Sequence, residues 1–279
     1  MLAVVLALAA SLSYGAGDFL GGSQTRRTSL WTVLVVSQPT GLLLMALIVL
    51  VRGEPFPQDV LLPALAAGLL MVVTLAAYYQ ALAIGVMSII GPILSLSVAV
   101  PVIVGLARGE RPSPLQLAGI AIALGGVFLA SREKSAGEHH TATNRASIGL
   151  ALLSGTAYGF VMVFYAQGAE ADPYWSIALS RLTSLTVFAI AFVITRPVLR
   201  YAKGAAAPLL AIGVFEVGAF TLFSVASTHA YLSIVSVLGS VYPVFLALLA
   251  YAFLRERLAR AQLVGVAAAL AGVALIAAG

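Results

Sequence analysis

The sequence predicts an all-α membrane protein with ten transmembrane helices, arranged as two inverted five-helix repeats. Three observations lead to this prediction. Hydrophobic residues make up 61% of the 279 residues and charged residues only 9%, whereas a soluble domain carries about 25% charged residues. The chain divides into apolar segments that are long enough to cross a bilayer. A stretch from the middle of the chain also recurs near the C-terminus.

Ten apolar segments have the length, about 20 residues, that a membrane-spanning helix needs. The first lacks the basic residues of a secretory signal, so we interpret it as a retained helix. Two divisions, at Gly85 and near His229, fall inside long apolar runs where only length requires a reversal. In chain order the segments are 2–22, 30–51, 61–83, 86–107, 114–131, 147–168, 174–195, 206–228, 231–254 and 260–278.

The repeat is clearest between residues 110–130 and 256–276. Each stretch begins with charged residues and continues as an apolar segment with small residues on one face, which is typical of packed transmembrane helices. At a constant offset, the identical residues are Glu110 and Glu256, Arg111 and Arg257, Gln116 and Gln262, Leu117 and Leu263, Gly119 and Gly265, Gly126 and Gly272, and Val127 and Val273.

These matches divide the chain into two five-helix halves, residues 1–131 and 147–279, with a polar linker at 132–146. Because each half has an odd number of spans, the second half enters the bilayer from the opposite side. Inverted repeats of this kind are typical of transporters in which a central cavity opens alternately to the two sides. The repeat therefore predicts transport by alternating access.

Composition and motifs exclude several classes of function. The net charge of +5 lies in short connectors, so nucleic acid is not expected as a partner. The absence of cysteine excludes disulfides and thiolate chemistry. His229 and the pair His139 and His140 lack the partner ligands of a metal site, and Gly15 and Gly17 do not fit a dinucleotide-binding spacing. We therefore expect no cofactor and no metal.

Several motifs taken together resemble the EamA-type members of the drug/metabolite transporter superfamily. They are the charged turns at 109–111 and 255–257, Tyr242 and Pro243 in the ninth segment, and the glycine-rich fifth and tenth segments. The resemblance implies a transporter, often an exporter, of a small metabolite or drug in the inner (cytoplasmic) membrane, as a monomer or homodimer. The sequence departs from the family pattern at Ser97, which occupies the position equivalent to Pro243.

The charged connectors and the resemblance lead to opposite orientations. On the side of the termini we find only Arg52, Arg108 and Arg111, while the connectors on the other side contain more Lys and Arg. The positive-inside rule then places both termini outside the cytoplasm, whereas the resemblance implies cytoplasmic termini. Both orientations stay open at this point.

Two acidic residues lie inside predicted spans, where a charge is costly and needs a reason. Asp18 follows Tyr14 by one helical turn in the first span, and Glu216 lies in the middle of the eighth. A carboxyl group in poorly hydrated surroundings tends to hold its proton, so both are candidates for coupling transport to a proton. Alternatively, Asp18 meets a helix end or a headgroup, and Glu216 forms an ion pair that only fixes packing.

Polar side chains on several spans are candidates for lining one cavity. Gln38 and Arg181 occupy equivalent positions in the two repeats and could orient polar groups of a solute. Arg181 could instead pair with an acidic residue or reach the interface. Tyrosines suit an amphiphilic solute, although they also populate interfacial belts. The predicted substrate-binding residues are Gln38, Tyr78, Tyr79, Gln80, Tyr158, Tyr165, Arg181 and Tyr242.

Proline and small residues have a structural interpretation. Pro92, Pro101 and Pro243 each remove one helical hydrogen bond and leave a carbonyl group free near the middle of the membrane. We predict that these three prolines are hinges, with a substrate contact or a simple kink as the alternatives. The small residues of the fifth and tenth segments are predicted to serve packing rather than function, and the resemblance implies that those two helices pack either in a dimer or between the halves.

The sequence therefore predicts a secondary transporter, with export favoured on the resemblance, whose partners are the bilayer and a small-molecule substrate. Its coupling comes from a proton, from counter-transport or from the solute gradient itself, and these alternatives stay open. Two other classes stay open. An intramembrane enzyme could use Asp18 and Glu216 as paired carboxylates, although neither HExxH nor GxSxG occurs. A membrane scaffold is the second alternative, but it would have no need of an inverted repeat. We predict no enzymatic activity.

Overall fold

The computed structural model describes residues 1–25, 27–84, 90, 93–130, 145–254 and 260–279. Over these ranges the chain is helical and contains no β-strand. Eight helices are long and apolar enough to cross a membrane, and two shorter apolar helices cover Ile93–Ala107 and Pro114–Ala130. The predicted class, an all-α multi-pass membrane protein, is therefore confirmed.

The helix bounds agree closely with the predicted segments. The reversal at Gly85, the start of the fourth segment with Pro92, and nearly all of the linker at 132–146 lie outside the described residues. The helices are α1 (Leu2–Thr25), α2 (Leu30–Arg52), α3 (Leu61–Ile84), α4 (Ala99–Ala107), α5 (Pro114–Ala130), α6 (Arg145–Ala171), α7 (Pro173–Thr195), α8 (Ala206–Ser227), α9 (Leu232–Gly239), α10 (Tyr242–Leu254) and α11 (Arg260–Ala278).

The ninth predicted span, 231–254, contains a candidate membrane-spanning segment over Leu232–Leu249 that is not one unbroken helix. The helix is interrupted between Gly239 and Tyr242 and continues as α10. Pro243, in the first turn of α10, has no N–H group with which to bond the Gly239 carbonyl four residues earlier. That carbonyl instead accepts a hydrogen bond from the Ser11 hydroxyl of α1, at 3.1 Å. A contact between halves thus replaces the missing helical bond.

Helices α5 and α11 form a close, antiparallel pair. A Cβ atom on Gly119 would lie 2.8 Å from the Gly272 oxygen, and one on Gly126 would lie 2.7 Å from the Gly265 oxygen. The two helices are therefore antiparallel. In the repeat Gly119 is equivalent to Gly265 and Gly126 to Gly272, so the two contacts are equivalent to each other. This agrees with the packing role predicted for these small residues.

Equivalent residues also make equivalent contacts elsewhere. Gly15 of α1 packs against Phe245 of α10, and its counterpart Gly159 of α6 packs against Val100 of α4. In the same way, Gly213 of α8 meets Thr40 of α2. The equivalent contact, between Gly68 of α3 and Thr183 of α7, also joins the two halves. The helices of each half therefore pack mainly against the other half, in a pattern close to two-fold.

Helices α2 and α7 cross at the centre of this pattern and run antiparallel. Near one end the rings of Trp31 and Phe192 lie 5.9 Å apart. At the other end Arg52 forms an ion pair with Asp172 at 3.0 Å. Asp172 also caps α7, because its carboxylate accepts hydrogen bonds from two backbone N–H groups of the first turn, each at 2.8 Å. The crossing brings the middle of α2 and α7 together inside the protein.

Candidate functional site

A polar cluster occupies the middle of the α2–α7 crossing. The Arg181 Nη1 atom donates to Gln38 Oε1 at 2.6 Å and to Glu216 Oε2 at 3.1 Å. The Gln38 Nε2 atom donates to the same Glu216 oxygen at 3.0 Å. The three side chains come from α7, α2 and α8, so the cluster joins both halves of the chain.

The burial of this cluster decides between two interpretations of Arg181. Its side chain is only 4% exposed, while that of Glu216 is 30% exposed. Gln38 is also buried. Arg181 therefore does not extend to the membrane interface, and its charge is balanced by Glu216 inside the protein.

Glu216 lies on the buried face of α8 but keeps access to solvent. The residues one and two turns away on this face, Leu209, Ile212, Phe220 and Phe223, are buried. A side chain in the middle of such a face does not point into the acyl chains. The exposed fraction of the Glu216 side chain therefore indicates a gap between the helices that pack around it.

Asp18 repeats this arrangement on α1. It continues the face formed by Ala7, Ser11 and Tyr14, all of which are buried, yet Asp18 itself is exposed. It lies inside α1, well before the last residue Thr25, so it does not cap the helix. The gap therefore reaches Asp18 from the side of the membrane where α1 ends.

The two carboxylates belong to one region. Helices α1 and α8 touch where the Ser13 hydroxyl donates to the Phe215 carbonyl at 2.7 Å. Gly17, the neighbour of Asp18, packs close to Glu216, because a Cβ atom on Gly17 would lie 3.9 Å from the Glu216 backbone nitrogen. The ring of Tyr14, one helical turn before Asp18, lies 6.0 Å from the ring of Tyr242, one of the tyrosines predicted to line a cavity.

Aromatic rings surround the polar cluster. Phe220 is the common neighbour: its ring centroid lies 5.1 Å from the Tyr14 ring, 5.0 Å from the Tyr165 ring and 5.1 Å from the Arg181 guanidinium carbon. The Tyr165 hydroxyl also shares a hydrogen bond with the Ser180 hydroxyl at 3.1 Å. These contacts fix the plane of the guanidinium group against an aromatic face.

A small cavity of about 30 Å³ continues from Tyr14 toward α4 and α9. It has room for no more than one or two water molecules. Pro101, whose missing N–H frees the Ser97 carbonyl, lies in its wall. Its other lining residues include Tyr158, Ser236, Ser240 and Tyr242.

Not every predicted residue joins this region. Gln80 is exposed on the face of α3 that also carries Leu62, Leu69 and Val73, opposite the buried face. Tyr78 and Tyr79 are half-buried, and their rings lie 5.2 Å apart. The structure thus separates Gln80 from its neighbouring tyrosines, because successive residues point to different faces of a helix.

Glu110 has a role that its position in the repeat did not reveal. Its carboxylate accepts hydrogen bonds from the backbone N–H groups of Leu232 and Ser233, at 2.6 and 3.0 Å. The connector between α4 and α5 therefore caps the first turn of α9 across the two halves, which is favourable for a negative charge. The repeat marked Glu110 as special, but its equivalent Glu256 lies outside the described residues.

Comparisons with known proteins agree with this architecture. A family model described as the EamA-like transporter family matches residues 1–132 and again 145–278. Among 29 matching chains of solved structures, one described as "Crystal structure of protein" has a TM-score of 0.84 at 18% sequence identity. That match covers 98% of this chain and 95% of the other, and at this identity it shows the fold alone. No curated protein matches the chain.

Proposed function

Since this chain belongs to the EamA-like transporter family, we propose that it is a secondary transporter that exports a small metabolite or drug by alternating access. In this proposal ten spans form two inverted halves, residues 1–131 and 147–279, and the solute binds between them. The protein acts in the cytoplasmic membrane, as a monomer or homodimer, and has no enzymatic activity.

The observation that carries this proposal is the exposure of two carboxylates on helix faces that are buried on both sides of Glu216 and on the N-terminal side of Asp18. Asp18 and Glu216 stand in such faces of α1 and α8 and yet reach solvent. An ion pair that only fixed packing would have no need of a gap beside it. A polar gap between helices of the two halves is what a carrier requires for its solute.

The two sides of the membrane differ in a way that supports alternating access. On the side of both termini, every residue of α9 (Leu232–Gly239) is buried, and Glu110 caps its first turn. On the opposite side, Asp18 and Gly22 of α1 are exposed. The conformation therefore fits a carrier that is closed at α9 and open toward the end of α1.

In this proposal Asp18 and Glu216 couple transport to a proton. Asp18 is exposed and Glu216 partly exposed, and they lie on neighbouring helices that contact each other through Ser13 and Phe215. Arg181 and Gln38 orient polar groups of the solute, and the tyrosines contact its apolar part. Pro101 and Pro243 act as hinges, since each begins a helix beside a contact between halves.

An intramembrane enzyme with paired carboxylates is less well supported. The Glu216 Oε2 atom is already held by Arg181 and Gln38. A catalytic acid or base must instead be free to meet its substrate.

Transport into proteoliposomes tests the proposal. The purified chain is reconstituted and a panel of labelled metabolites and drugs is offered with and without a pH gradient. We expect saturable, gradient-dependent uptake of at least one solute, and loss of the pH dependence in Asp18→Asn combined with Glu216→Gln. Unchanged pH dependence in that double variant would contradict the coupling role, and the absence of uptake across the panel would contradict transport.

A further inference from the structure

We propose that Arg181 binds a carboxylate group of the transported solute through the Nε and Nη2 edge of its guanidinium group. This inference rests on the proposed transport function and adds the chemical class of the solute. It predicts small carboxylic acids with an apolar or aromatic body as the preferred cargo.

The first evidence is that Arg181 uses only one of its three nitrogen atoms. Within the described part of the chain, its hydrogen bonds to Gln38 and to Glu216 are both made by Nη1. Among the described residues the Nε and Nη2 atoms have no hydrogen-bond partner, although both are buried. A buried N–H group of a charged side chain without a partner is expensive, and such groups in a native structure call for an explanation.

The second evidence is geometric. The N–H groups on Nε and Nη2 lie in one plane and point in parallel, at the spacing of the two oxygens of a carboxylate. This edge therefore binds a carboxylate through two hydrogen bonds at once, whereas a neutral amide offers one oxygen and a second group that does not accept. A lysine at the same position would keep the charge but lose the paired geometry.

The third evidence is that the surroundings hold this edge in place. Nη1 is fixed by Gln38 and Glu216 on two other helices, and one face of the guanidinium group lies against the Phe220 ring. Tyr14 and Tyr165 pack on the same ring. The guanidinium group thus belongs to an aromatic shell, formed by Phe220, Tyr14 and Tyr165, that suits the apolar part of a solute. Because the edge is closed to solvent in this conformation, the shell must open for a solute to enter.

Glu216 does not occupy this position itself. Its Oε2 atom contacts Nη1 at 3.1 Å, and the other edge of the guanidinium group has no hydrogen-bond partner among the described residues. A solute carboxylate can therefore bind Arg181 without displacing Glu216. The cluster would then hold one positive and two negative groups, which favours a monocarboxylate over a solute with more negative charge.

The test compares an acid with its matched amide. Thermal stabilisation of the purified chain in nanodiscs is measured against 3-phenylpropionate and 3-phenylpropionamide, which differ only in the carboxyl group. We expect the acid to bind at least about ten-fold more tightly than the amide. In Arg181→Lys, which keeps a partner for Glu216, this preference should fall to about two-fold or less.

Arg52→Lys is the matched control, since Arg52 lies at the far end of the same crossing and should keep the preference for the acid. Equal stabilisation by acid and amide, stabilisation by neither, or an undiminished preference in Arg181→Lys would overturn the carboxylate site. None of these results would decide whether the protein is a transporter, because uptake of other solutes into proteoliposomes tests transport separately. Binding of the acid that depends on Arg181, without any uptake of it, would instead uphold the site and count against transport.

Discussion

The seam between α5 and α11 and the crossing of α2 and α7 both bring equivalent parts of the two repeats together, but in opposite ways. The seam is symmetric and apolar, with Gly119 against Gly272 and Gly126 against Gly265. The crossing is asymmetric and charged. There Gln38 meets its own counterpart Arg181, and Glu216 stands where the first half has the buried Met71.

This difference distinguishes a contact that only packs the halves together from one that, under the proposed function, binds the solute. Two similar helices pack most closely when small residues face each other, and nothing in that arrangement selects a ligand. At the crossing, only one of two equivalent positions carries a charged group. The two ends of the central site therefore differ in charge. Changes in the seam should therefore act on stability alone, while changes in the crossing should act on both stability and solute binding.

The largest effect is expected at the crossing, from Arg181→Met. Removing the guanidinium group leaves Glu216 and Gln38 without their shared partner inside the protein. We expect a loss of about 3–5 kcal/mol in the free energy of unfolding, measured by thermal or denaturant unfolding in detergent.

The double variant Arg181→Met with Glu216→Met is the control for that experiment, because it removes both charges. It should regain most of the lost stability, since a buried ion pair is often replaceable by apolar residues. A single variant as stable as the wild type would show that the pair contributes nothing to the fold.

A smaller loss is expected at the seam, from Gly126→Ala. The added Cβ would lie 2.7 Å from the Gly265 oxygen, so the two backbones must separate. We expect a loss of about 1–3 kcal/mol with no change in the preference for an acid over its amide. Gly125→Ala, one residue away and with nothing within 4 Å of the new atom, should be neutral or slightly stabilising. Equal losses in both variants would contradict close packing at the seam.

The smallest effect is expected at α9, from Glu110→Gln. The neutral amide keeps the shape of the side chain but weakens the cap on the Leu232 and Ser233 N–H groups. We expect a loss of about 1 kcal/mol, seen as roughly five-fold faster hydrogen exchange at the start of α9. Glu54→Gln, a change of equal size in an exposed connector on the same side, should leave that exchange unchanged.

Local patterns were enough to predict most of the spans, the packing role of the small residues in α5 and α11, and the equivalent positions of Gln38 and Arg181. Length and apolar composition define a membrane helix, and the repeat itself marks equivalent residues. The pattern did not show that Gln80 lies on the outer face of α3, because that depends on which face other helices cover. Nor did it show the cap from Glu110 to α9 or the ion pair between Arg52 and Asp172. These contacts join residues that are far apart in the chain, so no regular spacing of residues in the sequence indicates them.

The break between α9 and α10 illustrates the same limit. Pro243 signalled a lost hydrogen bond, but the end of the helix at Gly239 depends on the Ser11 hydroxyl of another helix. A partner that arrives only through tertiary packing cannot be read from the local sequence.

The central claim, that α9 closes one side while the other is open to Asp18, is tested most directly by cysteine labelling. The chain has no cysteine, so single Gly22→Cys and Ser236→Cys variants report separately on the two sides. In proteoliposomes we predict rapid labelling at position 22 and protection at position 236. Adding Glu110→Gln should lower the labelling rate at position 22 and raise it at position 236. Labelling that rises or falls together at both positions would contradict alternating access.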